Sequence, residues 1–443
     1  MSDAPKATAR DVAFDVVRDV FGPQLRGAQA AFDVRARRAG LDARDRRFAA
    51  ELAYGSIKQR RRIDWDLGPY IGDRRKSLPA AILEVLRLGA YQVRFMSAGE
   101  HAAVSETVNL AWRHGHRGTA GLVNAVLRRM LADEPREPQP HEFTSELDFL
   151  GTRHSLPSWM AGQFAQSYER MRDAALAGVN AAPQHALTVN ALMASRDAVR
   201  VELETRGIVT SDSAFVPESL IVDTGALGDD PDGRFWLQGE AAAMPVDLLA
   251  PKPGETVLDL CAGRGNKTLQ IASRMGGQGH IVAVELDAAK ARVLAGRLAW
   301  AGATNGAVVC GDAREAVPES RADAVLLDAP CSGTGVIGRH PEARWRKRPE
   351  DGAELARAQA ELLRAAAVRT ASGGRIAYSV CSSDPRECAA VVDAFLAADP
   401  SFVRAPLPDR YASFERAGDV VVPAGVEGRD GFYIALLTRR DAA

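Results

Sequence analysis

The sequence predicts a multidomain chain: an all-α front part, a small α+β middle part, and a C-terminal α/β domain on a doubly wound, Rossmann-like sheet. Three observations carry this. At 443 residues the chain exceeds the size at which a single core keeps growing. From Thr8 to Leu131 apolar residues recur at helical spacing almost without a break. After Pro253 short apolar runs alternate with helical stretches, as they do when parallel strands are joined by crossover helices.

The front part, residues 1–140, is helical on the evidence of stretches such as Ile82 to Val93 and Val104 to Trp112. It ends in Asp133-Glu-Pro-Arg-Glu-Pro-Gln-Pro140, whose three prolines and lack of other apolar residues mark a linker. The middle part, residues 141–240, combines a helical stretch from Pro157 to Ala177 with short apolar runs at Ala186 to Leu192 and Ser219 to Val222. These runs bracket a helix-like Arg196 to Arg206. In the last part, residues 241–443, strands are expected at Thr256 to Leu260, Ile281 to Glu285, Ala307 to Val309, Ala324 to Leu327, Arg375 to Val380 and Tyr433 to Leu437.

Composition excludes more than it identifies. Apolar residues at 46% and charged residues at 26% sit near globular averages, which rules out collagenous, disordered and disulfide-scaffold chains. No apolar run reaches the roughly 20 residues that span a bilayer, and Met1 to Arg10 lacks the apolar stretch of a signal peptide. A cytoplasmic protein with no membrane partner is expected. The five cysteines, Cys261, Cys310, Cys331, Cys381 and Cys388, are odd in number and confined to the C-terminal half, so reduced thiols are expected rather than a disulfide framework. No metal is expected.

Net charge is -1, but residues 1–140 hold 24 Lys and Arg against 17 Asp and Glu. Such asymmetry points to an anion-binding front, with nucleic acid the commonest large polyanion; Arg-rich solvated helices would give the same count. Arg60, Arg61 and Arg62, with Arg44, Arg46 and Arg47, are the expected phosphate-contacting surface.

Two constellations carry chemistry. The first strand of the last part runs into Asp259-Leu-Cys-Ala-Gly-Arg-Gly-Asn-Lys-Thr268, a glycine-containing turn before a helix, where backbone N–H groups can approach a ligand. The second strand ends at Glu285, placed to accept hydrogen bonds from ribose hydroxyls. The third ends at Gly311-Asp312, where the carboxylate can face an adenine amino group or cap a helix.

The fourth strand runs into Leu326-Leu-Asp-Ala-Pro-Cys-Ser-Gly-Thr-Gly335, and the fifth into Ala377-Tyr-Ser-Val-Cys-Ser382. Cys331 and Cys381 thus lie where their strands end, on loops that can converge beside Asp328. Two thiols and a carboxylate there point to covalent chemistry. Cys261, Cys310 and Cys388 read as structural.

At these residues the chain resembles the RNA 5-methylcytosine methyltransferases, a family with a Pro-Cys loop and a Thr-Cys loop in a class I, S-adenosylmethionine-dependent methyltransferase domain. The resemblance implies that Cys381 is the nucleophile and that Cys331 assists release. It implies further that Cys261, Ala262, Gly263, Arg264, Gly265, Asn266, Lys267, Glu285, Asp312 and Asp328 contact the cofactor or base, Lys267 and Asp328 also serving catalysis. Gly338-Arg-His-Pro-Glu-Ala-Arg-Trp-Arg-Lys347 has the family's look, and its basic residues suit RNA.

In the front part, Asp45-Arg-Arg-Phe-Ala-Ala-Glu-Leu-Ala-Tyr-Gly55, Leu86-Arg-Leu-Gly-Ala-Tyr-Gln92 and Val123-Asn-Ala-Val-Leu-Arg128 look like a NusB-like RNA-binding domain. Ser155-Leu-Pro-Ser-Trp159 resembles the start of the middle segment in the bacterial members that act on 16S ribosomal RNA. The implied partner is therefore RNA, 16S rRNA first and transfer RNA second. A non-catalytic RNA-binding protein with a degenerate methyltransferase domain is the different-class alternative. It is motivated by the departures: Gly263, Arg264 and Asn266 stand where the family has Ala, Pro and Gly, and Val380 replaces its Thr.

Cytosine explains the need for two thiols. Its carbon-5 is too poor a nucleophile to attack a methyl sulfonium. Addition of a thiolate to carbon-6 makes carbon-5 nucleophilic, and the adduct must then be broken by loss of the carbon-5 proton.

Overall fold

A computed structural model describes residues 7–23, 25–96, 100–224, 227–317 and 321–441. Residues 1–6 of the N-terminal stretch considered above lie outside it. The chain forms two compact units, residues 1–162 with 339–346, and residues 163–338 with 347–443. No helix among the described residues is long and apolar enough to cross a membrane.

The first unit is helical, as the spacing predicts. Its helices are Ala9–Phe21, Ala28–Ala39, Ala43–Lys58, Arg60–Ile71, Ala80–Phe95, Glu100–His114, Arg117–Ala132 and Glu146–Arg153. The first begins at a reciprocal cap, in which the Thr8 hydroxyl accepts from the Asp11 amide at 3.2 Å and the Asp11 carboxylate accepts from the Thr8 amide at 2.9 Å. Phe14, Leu52, Ile57, Ile63, Leu67, Ile82, Leu86 and Leu127 form the fully buried centre.

Two expectations about basic residues are corrected in this unit. Arg60 pairs with Glu84 at 2.6 Å and covers the Phe21 ring, and Arg61 is held by Asp148, Thr152, Ser158 and the Leu156 carbonyl. Arg62 is buried between Asp66, Glu137 and the Arg136 carbonyl. The three guanidiniums bind elements of the unit together and do not form a phosphate-contacting surface. Arg44 and Arg47 are exposed, and Arg46 pairs with Asp33.

The segment Arg339–Arg346 also belongs to this unit, which a division into consecutive segments does not express. Arg344, fully buried, donates to the carbonyls of Lys58 and Ser155 at 3.2 Å each. Trp345 donates to the Ile57 carbonyl at 2.7 Å, and Arg346 to those of Val20 and Arg26 at 2.5 Å. Both arginines are committed to main-chain acceptors rather than displayed for RNA.

The second unit holds two sheets. The smaller is antiparallel and contains β1 (His185–Val189), β2 (Thr210–Asp212), β3 (Ser219–Val222) and β4 (Phe235–Leu237) in the order β2-β3-β1-β4. Val199 and Leu203 of the helix Arg196–Thr205 pack on its apolar side. The strand expected to reach Leu192 stops at Val189, because Asn190 turns its buried amide onto the carbonyls of Gly233 and Ala301 at 2.8 Å each. The expected helix from Pro157 to Ala177 is broken at Glu169, whose φ is 26°, a left-handed conformation that interrupts the ladder.

The larger sheet contains β5 (Thr256–Asp259), β6 (His280–Glu285), β7 (Gly306–Cys310), β8 (Ala322–Asp328), β9 (Thr370–Val380), β10 (Phe402–Arg404), β11 (Glu415–Arg416), β12 (Asp419–Val422) and β13 (Phe432–Arg439). Strands β7-β6-β5-β8-β9 are parallel. The expected strand from Tyr433 to Leu437 is present as part of β13, but it runs antiparallel to β9, so the sheet is mixed. Side chains alternate between two cores. Leu258, Val284, Val325, Leu327, Ile376 and Tyr378 face the helix Asp351–Arg369, while Val257, Ile281, Ala283, Ala324 and Leu326 face the helices Glu240–Leu249, Asn266–Arg274 and Ala288–Trp300.

The order of strand addition reverses about β5, since β6 and β7 lie on one side of it and β8 and β9 on the other. A crevice opens at such a point, at the carboxyl ends of the strands. Register levels those ends: Asp259 is opposite Leu326, Glu285 opposite Cys310, and Asp328 opposite Ser379.

Candidate active site

The ladder continues past β5 on both sides, with the Leu260 amide donating to Leu326 and the Ala262 amide to Val284, both at 3.0 Å. The chain then turns sharply through Gly263 (φ 59°) and Gly265 (φ 92°), the latter capping the helix Asn266–Arg274. A Cβ on Gly265 would lie 2.2 Å from a Leu294 methyl, whereas one on Gly263 would meet open space. The Gly263 amide donates to Glu285 at 2.8 Å, and the other Glu285 oxygen accepts from the Asp287 amide at 2.9 Å.

From Glu285 a cavity of about 700 Å³ runs past Asp312 to Asp328, walled by apolar Leu260, Leu286, Pro330 and Leu362. Its size and pattern, polar groups at separated points on apolar walls, fit an adenosine-bearing ligand such as S-adenosylmethionine. Leu286, 72% exposed, presents an apolar face beside Glu285 that an adenine ring can cover. Asp312 lines this cavity, but both its oxygens accept from Arg314, which holds its carboxyl down at about 2. Cys261 also borders the cavity, and burial pushes its thiol well up, so it offers backbone and bulk rather than a nucleophile. Arg264 is exposed.

Asp328, the last residue of β8, is paired with Ser379, one before the end of β9, and the Ser379 hydroxyl donates to Asp328 Oδ1 at 2.8 Å. Lys267, one residue into the helix after the turn, places Nζ 2.6 Å from Asp328 Oδ2. Burial disfavours the Lys267 ammonium, but Asp328 beside it more than offsets this, and its pKa is raised. The Cys331 and Cys381 sulfurs lie 3.4 Å apart. The hydrogen bond with Cys381, followed by burial, pushes the Cys331 thiol well above the usual range, so Cys331 keeps a proton at neutral pH.

The sequence reading missed the residue that ties these loops together. Glu387, fully buried, accepts from the Ser332 amide at 2.8 Å, the Ser382 hydroxyl at 2.7 Å and Gln359 Nε2 at 3.0 Å. Ser332 and Ser382 directly follow the two cysteines, and Gly335 donates to the Cys381 carbonyl at 3.0 Å. Thr334 Oγ1 also accepts from the Ser383 amide at 2.8 Å. Each cysteine therefore sits on a loop whose next residue is fixed to the same carboxylate. No local pattern in Ser382-Ser-Asp-Pro-Arg-Glu387 announces this, because the role depends on a partner 55 residues away.

Residues 246–438 match the model of the 16S rRNA methyltransferase RsmB/F family, residues 7–132 that of the NusB family, and residues 156–226 that of the ferredoxin-like domain of RsmF/B-like methyltransferases. The chain is 32% identical, over 98% of its length and 99% of the relative's, to a probable ribosomal RNA small subunit methyltransferase B of Synechocystis sp.. It is 32% identical to the ribosomal RNA small subunit methyltransferase B of Vibrio cholerae over 90% of each chain. Among solved structures, the crystal structure of PH0851 matches with a TM-score of 0.80 and 27% identity, covering 99% of both chains.

Proposed function

The chain belongs to the 16S rRNA methyltransferase RsmB/F family, and on that premise we propose that it methylates carbon-5 of a cytosine in 16S ribosomal RNA through a covalent bond to Cys381. Membership makes it an S-adenosylmethionine-dependent RNA methyltransferase. The observation that carries the finer reading is the 3.4 Å approach of the Cys331 and Cys381 sulfurs beside the Lys267–Asp328 pair.

In this reading, Glu285 and the amides of the Ala262–Lys267 turn hold the cofactor, which supplies an electrophilic methyl group when bound. Cys381 gives its thiol proton to solvent as its sulfur forms a bond to carbon-6 of the flipped-out base. Lys267 and Asp328 share a proton with the ring nitrogen as negative charge develops there. Carbon-5 thereby becomes nucleophilic, and bound S-adenosylmethionine would supply its methyl group there and leave as the neutral thioether, S-adenosylhomocysteine. Cys331, whose surroundings favour a protonated sulfur, first releases its own proton to solvent and then accepts the carbon-5 proton. The electrons of the carbon-5–hydrogen bond then restore the ring double bond, the carbon-6–sulfur bond breaks with its electron pair leaving on the Cys381 sulfur, and the nitrogen proton returns to the Asp328–Lys267 pair. The helical unit is the proposed RNA-binding part.

The test is to incubate the protein with a 16S rRNA transcript and S-adenosylmethionine, digest to nucleosides, and identify the product by mass spectrometry. 5-Methylcytidine is expected from ribosomal RNA and not from transfer RNA. Methylation of another base, or of transfer RNA alone, would contradict the proposal.

A further inference from the structure

Two glycines with positive φ flank Arg264 in the cofactor turn, leaving it with more conformational freedom than a binding cradle can use. A side chain on the next crossover helix, Ala288–Trp300, removes that freedom. Arg297 Nη1 donates to the Arg264 carbonyl at 3.1 Å and also to Asn266 Oδ1. Its Nη2 is held by Asp229 at 3.3 Å, and its guanidinium carbon lies 5.6 Å from the centre of the Trp300 ring. The Asn266 amide nitrogen in turn donates to the Leu237 carbonyl at 3.1 Å. The turn is thus pinned at Arg264 and Asn266 by one guanidinium that is itself oriented by an acid and an aromatic ring.

We propose that Arg297 is a positioning residue for S-adenosylmethionine, holding the turn from Ala262 to Lys267 in the shape that receives it. The proposal rests on the reading of that turn as the cofactor cradle. Arg264 has no ring to restrict its φ, so the restraint comes from outside the turn. Arginine suits the task because its planar fork reaches two acceptors and a carboxylate at once, which a lysine ammonium on a flexible stem does not do. Ordering the turn before binding lowers the entropy lost on binding. Arg297 does not line the cavity at Glu285 but borders the neighbouring cavity on the other side of the turn, and with its guanidinium engaged by Arg264, Asn266 and Asp229 it reaches the Glu285 cavity through the turn.

The experiment measures S-adenosylmethionine binding by calorimetry, and backbone hydrogen exchange over residues 262–267 without the cofactor, in the full chain and in Arg297→Met, Arg297→Lys and Glu285→Ala. Arg297→Met should weaken binding on the order of tenfold, the scale of one charge-assisted hydrogen bond. It should also speed exchange in the turn, and raise KM for the cofactor with kcat at saturation within about twofold. Arg297→Lys should fall between it and the parent. If Arg297→Met fails to fold, Asp229→Asn, which frees the guanidinium without removing it, should show the same weakening and faster exchange to a smaller degree. Unchanged affinity and exchange in Arg297→Met, or in Asp229→Asn if that is the variant measured, would overturn the proposal, as would a fall in kcat with affinity intact. If Glu285→Ala loses binding while the Arg297 variants keep it, only this inference fails; if Glu285→Ala binds normally as well, the placement of the cofactor itself is wrong.

Discussion

The sulfur of Cys381 lies 3.4 Å from that of Cys331, fifty positions earlier in the chain, and Glu387 holds the residue after each of them. Paired strands β8 and β9 bring the loops to the same edge, and one buried carboxylate sets their spacing.

Glu387→Ala should therefore damage stability and chemistry together. It leaves the Ser332 amide, the Ser382 hydroxyl and the Gln359 amide without their acceptor in a dry site, a loss of about 2–4 kcal/mol. Glu387→Gln keeps the shape but loses acceptor capacity, and should lower kcat more than it lowers Tm. Thermal melts with single-turnover rates check this; a variant with both values unchanged would show that the carboxylate does not space the cysteines.

The two glycines of the cofactor turn should fail in different ways. Gly265→Ala drives a methyl against Leu294 at a left-handed position, so it should lower Tm. Gly263→Val points into open space beside the cavity and should chiefly weaken S-adenosylmethionine binding, since it pays only the φ penalty of about 1–2 kcal/mol. Calorimetry alongside melting curves separates the two outcomes.

Asp259, buried behind the turn with Thr268 donating to it at 2.7 Å, has its carboxyl pushed up by burial from 3.8 to about 7. The folded state thus holds a proton that the unfolded state has released, and stability from this group falls as pH rises from about 4 to about 7. Asp259→Asn removes that dependence. It should raise stability at pH 8 by on the order of a few kcal/mol relative to the parent, with the gain shrinking toward pH 4. Denaturant titrations across that range measure it; a gain that grows toward acid would contradict the assignment.

Arg62→Ala should unfold the helical unit more readily, by roughly 1–3 kcal/mol, because it removes the partner of Asp66 and Glu137 from a buried position. Arg44→Glu with Arg47→Glu, both exposed, should leave Tm nearly unchanged while weakening RNA binding and flattening its salt dependence. Filter binding at several salt concentrations tests the second pair. An unchanged slope there would remove this face from the RNA surface.

Much of this was legible in the sequence, for identifiable reasons. Helical spacing gave the front unit, and the parallel strands announced themselves through short apolar runs bounded by glycine and acids. Glu285, Asp328, Cys331 and Cys381 could be placed because each ends a strand or lies within three residues of a strand's end, and strand ends of one sheet share an edge. What stayed hidden depends on partners distant in sequence. The fate of Arg60, Arg61 and Arg62 turns on Glu84, Asp148 and Glu137, and that of Arg344 on carbonyls of Lys58 and Ser155. The direction of β13 is set by its pairing with β9, which an apolar run of either direction satisfies equally. Glu387 and Arg297 read as ordinary charged residues until the loops they hold are brought beside them.

The central claim, that Cys381 bonds to the base and Cys331 frees it, is tested most directly by trapping the adduct. Cys331→Ala and Cys381→Ala are each incubated with 16S rRNA and S-adenosylmethionine and run on a denaturing gel. Cys331→Ala should accumulate a denaturant-stable protein–RNA species that requires the methyl donor, because the carbon-5 proton is no longer taken efficiently. Cys381→Ala should form none and be inactive. Adduct in Cys381→Ala and none in Cys331→Ala would exchange the two roles; activity retained in both with no adduct in either would contradict covalent catalysis at this pair.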